Sequence, residues 1–455
     1  MFTRIRRPRA FRPSNIEAIL RYYVAKEFAL GWNTSEVRLI ESDPMLWRRA
    51  ETEARRITPD ESEWFLRVLC SGFGLEMSSA RRFFYDDPYY EVNQRWGLWL
   101  HEDDHPKLVS VLTAIPLKMR IGVRYADCFG IAGVATLPDY RRRGFAAELL
   151  QRALRRLYAE RAPLTVLQAF NHEFYRKLGW ETVGAAAQAR FSPKQLPRYP
   201  AHPLRRASPK DHDAVIRLYA DFGVQRTGSL LRDARRWDYL FWNLPNLWVY
   251  EHAGRIEGYL FYDFLDSGWT LRVREMVWSS ERARRAILSW LASNEESVRQ
   301  VEVQLPLGEL ATLSVSGWNA PPVEPSEPFY TVQVLPNFMA RPVHAPTLLH
   351  TLLHHAPAPD DFVPFNLRLR DRVIVARDDI IGVCVAGDRV ELVEPLPHAP
   401  MITIAPTAMA LLAFGTLGAP ELHARRLLNA PESLLPTLEM LFPQRQPCLT
   451  PIDYF

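Results

Sequence analysis

The residues best suited to chemistry stand together in Gly133-Val-Ala-Thr-Leu-Pro-Asp-Tyr-Arg-Arg-Arg-Gly-Phe-Ala-Ala147. A buried strand ends at Pro138, a basic turn with one glycine follows, and a helix starts near Gly144. Free N–H groups at a helix start converge on one spot, and the helix dipole favours negative charge there. Gly144, Ala146 and Ala147 keep the main chain approachable. Arg141, Arg142 and Arg143 add cationic charge beside it. This combination suits a pyrophosphate. Downstream, Asn171-His-Glu-Phe-Tyr-Arg-Lys-Leu-Gly-Trp180 places Tyr175 on a short helix, where an aromatic is usually a core residue.

Several elements must position these groups. ITPDESEWFLRVLCSGFG opens with a Thr58-x-x-Glu61 capping box and continues as an amphipathic helix. RWGLWLHEDDHPKLVSVLTAIPLKMRIG reads as a hairpin or meander, and CFGIAGVATL as a buried strand. RRRGFAAELLQRALRRLYAER is a long helix, LTVLQAF a strand and NHEFYRKLG a short helix. Near residue 198 the pattern restarts. LRRASPKDHDAVIRLYADFG echoes the first helix, and LWVYEHAGRIEGYLFYDF turns at His252-Ala-Gly254. A strand, a helix and a strand follow, so the element order recurs as an internal repeat. The strand FYTVQVLP is assigned to this second unit. From about 338 a third, α+β unit begins.

The predicted organisation is an N-terminal helical extension (1–55), a first α/β unit (56–197), a second (198–337) and a third (338–455). Within the extension, NIEAILRYYVAKEFAL and TSEVRLIESDPMLWRRAETEARR read as helices of a packing arm. The length of 455 residues, 47% hydrophobic and 24% charged, allows two to four folded domains and excludes a disordered or fibrous chain. The net charge of +4 is too small for its size to argue for nucleic acid, and no basic stripe is interleaved with aromatics. Four scattered cysteines, Cys70, Cys128, Cys384 and Cys448, suit neither a zinc site nor a disulfide framework and fit a reducing cytoplasm. The basic N-terminus lacks the apolar region of a secretory signal. Residues 399–420 carry no charge, but Pro406, Gly415 and Gly418 favour a buried strand-turn-helix corner over a membrane span. No metal site is expected. His350 and His354 share a helix face with no third ligand evident, and His101 and His105 flank a hairpin tip.

Arg141-x-x-Gly144-x-Ala146 resembles motif A of the GCN5-related N-acetyltransferases (GNAT), and the stretch around Tyr175 looks like motif B of that superfamily. The layout over roughly 56–455 resembles the enhanced intracellular survival (Eis) acetyltransferases. That resemblance implies tandem GNAT domains followed by a sterol-carrier-protein-like α+β domain, acetyl-CoA as donor, an amine acceptor and a homohexamer. It implies that the backbone of Val134, Ala135 and Thr136 holds pantetheine. Arg142 to Ala147, Phe145 included, would hold the pyrophosphate, and Phe170 and Asn171 would edge the cofactor. It also makes Tyr175 a general acid and the terminal carboxylate of Phe455 a general base. A free α-carboxylate has a pKa near 3.3–3.7 and becomes more basic when desolvated.

Glu76, Tyr85, Asp86 and Asp87 are candidates for the substrate cleft or, alternatively, exposed turn residues. Gly133 stands where a bulky aromatic can occur in the family. The second unit has Val277-Trp-Ser-Ser-Glu-Arg-Ala-Arg-Arg-Ala286 at the place of motif A. It lacks the glycine and carries Glu281, so it is expected to bind no CoA and to wall the substrate cleft. The alternative to an enzyme is an acyl-CoA- or lipid-binding protein that uses the third domain as a carrier.

Overall fold

The computed structural model describes residues 51–86, 91–102, 105–200, 203–244, 246–313, 330–358, 361–374 and 379–455. Most of the expected extension, residues 1–50, lies outside the described residues. The first unit begins with β1 (Glu51–Arg56), α1 (Ser62–Phe73), α2 (Met77–Asp86), β2 (Arg95–Glu102), β3 (His105–Ile121) and β4 (Arg124–Thr136). It continues with α3 (Phe145–Ala159), β5 (Leu164–Leu167), α4 (His172–Lys177) and β6 (Glu181–Phe191). The second comprises β7 (Arg205–Arg206), α5 (His212–Gly223), α6 (Ala234–Asn243), β8 (Leu247–His252), β9 (Arg255–Leu265), β10 (Thr270–Trp278), α7 (Glu281–Ala292) and β11 (Gln300–Pro306). The strand β12 (Tyr330–Pro342) leads to the third unit. That unit holds α8 (Ala345–Leu353), β13 (Phe365–Leu369), β14 (Asp379–Ala386), β15 (Arg389–Val393), β16 (Met401–Ile404), α9 (Pro406–Phe414), α10 (Ala419–Ala424), β17 (Leu428–Asn429) and α11 (Leu435–Leu441).

Local chemistry sets the element ends. The Thr58–Glu61 capping box forms, and Arg55 grips the same carboxylate with two bonds of 2.7 and 2.6 Å. Gly74 closes α1 in the left-handed region at φ 64. The β8–β9 turn places Ala253 and Gly254 at φ 49 and 74, the twist that a two-residue hairpin needs. One expectation is corrected here. Residues 51–56 do not continue a helix. They form β1, paired antiparallel with β2, with exposed Glu51 and Glu53 alternating with half-buried Thr52 and Ala54. The first unit therefore starts upstream of residue 56.

The strands of both α/β units join in one twelve-stranded sheet, ordered β1-β2-β3-β4-β5-β12-β6-β11-β10-β9-β8-β7. At its centre β12 enters between β5 and β6, pairing antiparallel with each. In turn, β6 pairs with β11 of the second unit. The two units thus share β6 and β12. The boundary expected at 337/338 falls inside β12, which pairs continuously with first-unit strands from Tyr330 to Pro342.

The third unit is a five-stranded sheet, β15-β14-β13-β16-β17, with helices α8 to α11. Its core is continuous with one face of the first unit. Met119, Cys128, Leu164 and Val166 share a cluster with Phe365, Leu367, Leu412 and Phe414. Residues 399–420 resolve into β16, the enclosed α9 and the start of α10, as the corner reading requires. No helix among the described residues is long and apolar enough to cross a membrane.

Candidate active site

The parallel strands β4 and β5 pair only from Cys128–Leu164 to Gly130–Val166. Beyond Gly130, β4 runs on to Thr136 without a partner on the β5 side among the described residues. One extra residue on β4 makes a bulge between Ala132 and Ala135, with Gly133 at φ 57. An L side chain is disfavoured in that conformation, and a Cβ there would stand 3.1 Å from Leu69. This accounts for glycine at a position expected to vary. Val134, Ala135 and Thr136 lie on the parted segment. Ser110 Oγ already donates to Ala135 O at 2.9 Å.

The start of α3 lies just past the end of β4. Arg142 at φ 62 and Gly144 at φ 84 curl the chain into the helix. Gly144 is the N-cap and has no side chain to satisfy the first N–H groups. A Cβ added to Gly144 would meet nothing within 4 Å, so the approach to those N–H groups is open. Phe145 is buried and anchors the turn, while Ala146 and Ala147 are half-buried. The three arginines divide the work. Arg141 donates to Gly72 O at 2.6 Å and to Thr136 O, tying the turn to α1. Arg143 lies over the rings of Tyr140 and Phe145, at 5.1 Å from each. All three are exposed at the mouth.

Tyr175 lies beyond the end of β5 on α4. Asn171 caps this helix by accepting from Phe174 N at 3.0 Å. Arg341, fully buried in β12, donates to Leu178 O at 2.7 Å and holds Asp371 at 2.8 and 3.0 Å. Both ends of α4 are thereby fixed. Edge-on contacts with Phe170, Phe174 and Trp180 orient the Tyr175 ring. It is 3% exposed, and its hydroxyl has no hydrogen-bond partner among the described residues. Burial pushes its pKa well above the usual phenol value, so it stays protonated through neutral pH. Phe170 is 59% exposed while its ring touches Tyr175.

Phe455 approaches from the other side of the sheet. A Cβ at Gly130 would lie 2.7 Å from the Phe455 ring, so the ring rests on the residue where β4 and β5 part. Strand alternation separates the two groups. Ile131 and Phe129 face the cluster that contains Tyr175, whereas Cys128 and Ala132 face the cluster against which Phe455 packs.

The proposed substrate residues are not drawn into this arrangement by any described contact. Glu76 is exposed just before α2. The Tyr85 hydroxyl donates to Glu63 at 3.2 Å, and Arg81 pairs with the same carboxylate. Asp86 ends α2, and Asp87 lies outside the described residues. Among the described residues no group of three or more His, Cys, Asp or Glu could hold a metal ion, and His350 stacks on His354 at 4.2 Å.

The second unit treats its equivalent positions differently. Ser280 caps α7, accepting from Ala283 N at 3.2 Å. Glu281 follows at the helix mouth, hydrogen-bonded to Arg284 and Arg285, which hold its pKa down at about 2. A cavity of about 440 Å³ opens there between Asp221, Phe222, Trp278 and Glu281. Its wall carries two carboxylates, Asp221 and Glu281, and one cation, Arg226, which is paired with Glu309. The parallel pairing of β10 with β11 ends at Val273–Val303. Beside the freed part of β10 runs the chain's own turn Pro451–Asp453.

That turn carries residues the motif analysis did not single out. Arg232 reaches Asp453 with bonds of 2.7 and 2.8 Å and Glu275 with bonds of 3.0 and 2.5 Å. The side chains of all three are at most 1% exposed. Burial alone would raise the Asp453 pKa, but the charge and hydrogen bonds of Arg232 outweigh it and hold it below the carboxylate range. The available signal was Glu275 inside the apolar strand pattern TLRVREMVW.

Residues 53–183 and 228–342 each match an acetyltransferase (GNAT) domain family. Comparison with curated proteins finds no match. Among solved structures, a GCN5-related N-acetyltransferase from Anabaena variabilis is 18% identical with a TM-score of 0.74. A probable N-acyltransferase from Enterococcus faecalis is 19% identical with a TM-score of 0.75. Eis1 from Mycobacterium abscessus is 19% identical with a TM-score of 0.65. Each alignment covers 89% of this chain and 100% of the other. These likenesses show the fold, and the two domain matches show the enzyme class. The chain is a GNAT-type acetyltransferase with two GNAT domains in tandem.

Proposed function

We propose that the chain transfers acetyl from acetyl-CoA directly to a primary amine, carried by a cationic small molecule of aminoglycoside or polyamine type or by a lysine side chain. The observation behind this reading is that Tyr175 and Phe455 flank the parting of β4 and β5 from opposite faces. Direct transfer needs a base on the nucleophile's side of the reacting carbon and an acid on the leaving group's side. The open start of α3 at Gly144 fits a pyrophosphate, because nothing fills the place a Cβ would take.

Acetyl-CoA supplies the acetyl group as a thioester. The unpaired edge of β4 at Val134, Ala135 and Thr136 offers main-chain groups to pantetheine, with Phe170 and Asn171 at the rim. Arg142, Arg143 and the first N–H groups of α3 hold the phosphates, while Arg141 braces the turn. The Phe455 carboxylate removes a proton from the ammonium, freeing the nitrogen lone pair to form the amide bond. As the carbon–sulfur bond breaks, the Tyr175 hydroxyl gives its proton to the sulfur, and the second proton shed by the nitrogen restores the phenol. The third unit, a small sheet backed by helices, is read as sterol-carrier-like. The same resemblance supports a homohexamer, and the four free cysteines fit a cytoplasmic setting.

Adding a few residues after Phe455 moves the carboxylate, and kcat for acetyl transfer should fall by about 10²-fold or more. Full retention would remove Phe455 as base. Tyr175→Phe should lower kcat by about 10²-fold with CoA affinity nearly unchanged, and unchanged turnover would remove Tyr175. A turnover screen over aminoglycosides, polyamines and lysine peptides identifies the acceptor.

A further inference from the structure

The last residues of the chain are held chiefly by the second unit and the shared strand. Asn337 on β12 exchanges two bonds with Leu449, accepting from its N–H at 2.6 Å and donating to its carbonyl at 3.0 Å. Arg274 donates to Pro451 O at 3.4 Å, and the Arg236 guanidinium donates to Ile452 O. Arg232 holds Asp453, with Glu275 as its second partner. Thr450 and Tyr219 also reach the Asp453 carboxylate, at 3.0 and 3.2 Å. The Arg232 guanidinium lies over the rings of Tyr219 and Trp237, at 3.6 and 4.8 Å. The Tyr454 hydroxyl accepts from Asn337 and Gln304.

A fully buried ion triad is a poor way to gain stability, since apolar residues of similar volume would serve as well. It is a good way to fix register, because only one alignment of the tail satisfies every charge. Asp453 is two residues from the chain end, so fixing it confines the terminal carboxylate to within about 7 Å. Chain ends without such ties are poorly ordered.

We propose that the second unit is the clamp for the catalytic tail: Arg232, seated between Glu275 and Asp453, sets the register that stands the Phe455 carboxylate where β4 and β5 part. Asp453 is a positioning residue, and its role rests on the reading of Phe455 as base. A GNAT domain without a usable anion cradle thereby acts on the reaction of its neighbour.

The test is a double-mutant cycle on the full-length chain. Asp453→Asn keeps the volume and leaves the Arg232–Glu275 pair intact. It should lower kcat about 10- to 100-fold with the KM for acetyl-CoA within about twofold, because small misplacements carry that cost. In a chain extended beyond Phe455, the same substitution should lower kcat no further. Tyr454→Phe, which removes only the hydroxyl held by Asn337 and Gln304, should give a smaller kcat loss of the same kind in a normally folded enzyme. It decides the matter if Asp453→Asn fails to fold.

If extension leaves turnover intact, the base reading itself fails. If extension abolishes turnover while Asp453→Asn and Tyr454→Phe leave kcat unchanged, the clamp is overturned and the base reading stands. Equal losses from Asp453→Asn in the native and extended chains would also overturn the clamp, since the residue would then act on the fold and not on the tail.

Discussion

The two GNAT units share their scaffold and differ in how they fill it. Each starts its first helix with a capping box and a strand arginine gripping the box's acid: Thr58, Glu61 and Arg55 in one, Ser208, Asp211 and Arg205 in the other. Each has a parallel strand pair that parts after a few residues. In the first unit the parting stays open beside an uncapped helix start at Gly144. In the second, Ser280 caps the helix, Glu281 stands at its mouth and the chain's own tail lies along the freed strand. The features that hold the fold survive in both copies. The open helix start occurs in one, and in the other the chain's own tail lies beside the gap.

The largest break in this comparison comes from Arg232→Met. The change takes the paired guanidinium from buried Glu275 and leaves Asp453 with only the more distant Arg236, 4.0 Å away, which costs about 3–5 kcal/mol. Urea unfolding of the variant should show a loss of that order, and a loss below about 1 kcal/mol would mean that water already reaches the site. Next is Ala146→Glu, which puts an acid in the first helical turn of the first unit, one position past the equivalent of Glu281. A like charge about 4 Å away costs about 4 kcal/mol at an effective dielectric of 20. After screening, CoA affinity measured by calorimetry should fall about 100-fold, with stability unchanged because acids favour a first helical turn. The reverse change, Glu281→Gly, should create no CoA binding, since Ser280 and the tail remain.

Much of this contrast was legible in local sequence. The capping boxes, the Ala253–Gly254 hairpin and the cradle at Gly144 are each specified by residues a few positions apart. The strand β1 was not, because Glu, Ala and Arg in ETEARR are strong helix formers and only the edge of β2 makes the segment extended. Nor was the insertion of β12 between β5 and β6, where Ala340 meets Val166 and Glu181 across more than 150 positions. The clamp had the same difficulty: Arg232 and Asp453 are 221 residues apart. Asp453 in isolation reads as one more surface acid near a chain end.

A smaller effect separates the units at the bulge of β4. Gly133→Ala forces an L side chain into φ 57 with its Cβ 3.1 Å from Leu69, costing about 1–2 kcal/mol. The matching irregularity of β10, between Val273 and Glu275, contains Arg274. Arg274 is outside the left-handed region, so Arg274→Ala should carry no backbone cost. Thermal melts compare the two alanine variants, and any drop for Arg274→Ala measures the lost side-chain bonds to Pro451 and Asp263.

The smallest effect tests what the units have in common. Hydrogen bonds from Arg55, outweighing the opposing effect of burial and helped by Thr58, bring the Glu61 pKa down to about 2. Arg205 does the same for Asp211, whose pKa lies lower still. A carboxylate depressed on folding adds stability that is present above its unfolded pKa, near 4, and is lost as pH falls through the folded value. Both arginines are partly exposed, so screening reduces each contribution to about 1 kcal/mol. Glu61→Gln should therefore destabilise by about that amount at pH 6 and by almost nothing at pH 2. For Asp211→Asn the convergence with the native chain should come at lower pH. Because neither pair touches the cradle or the tail, both variants should keep the native kcat at pH 7. A pH-independent destabilisation would assign the loss to packing instead of charge.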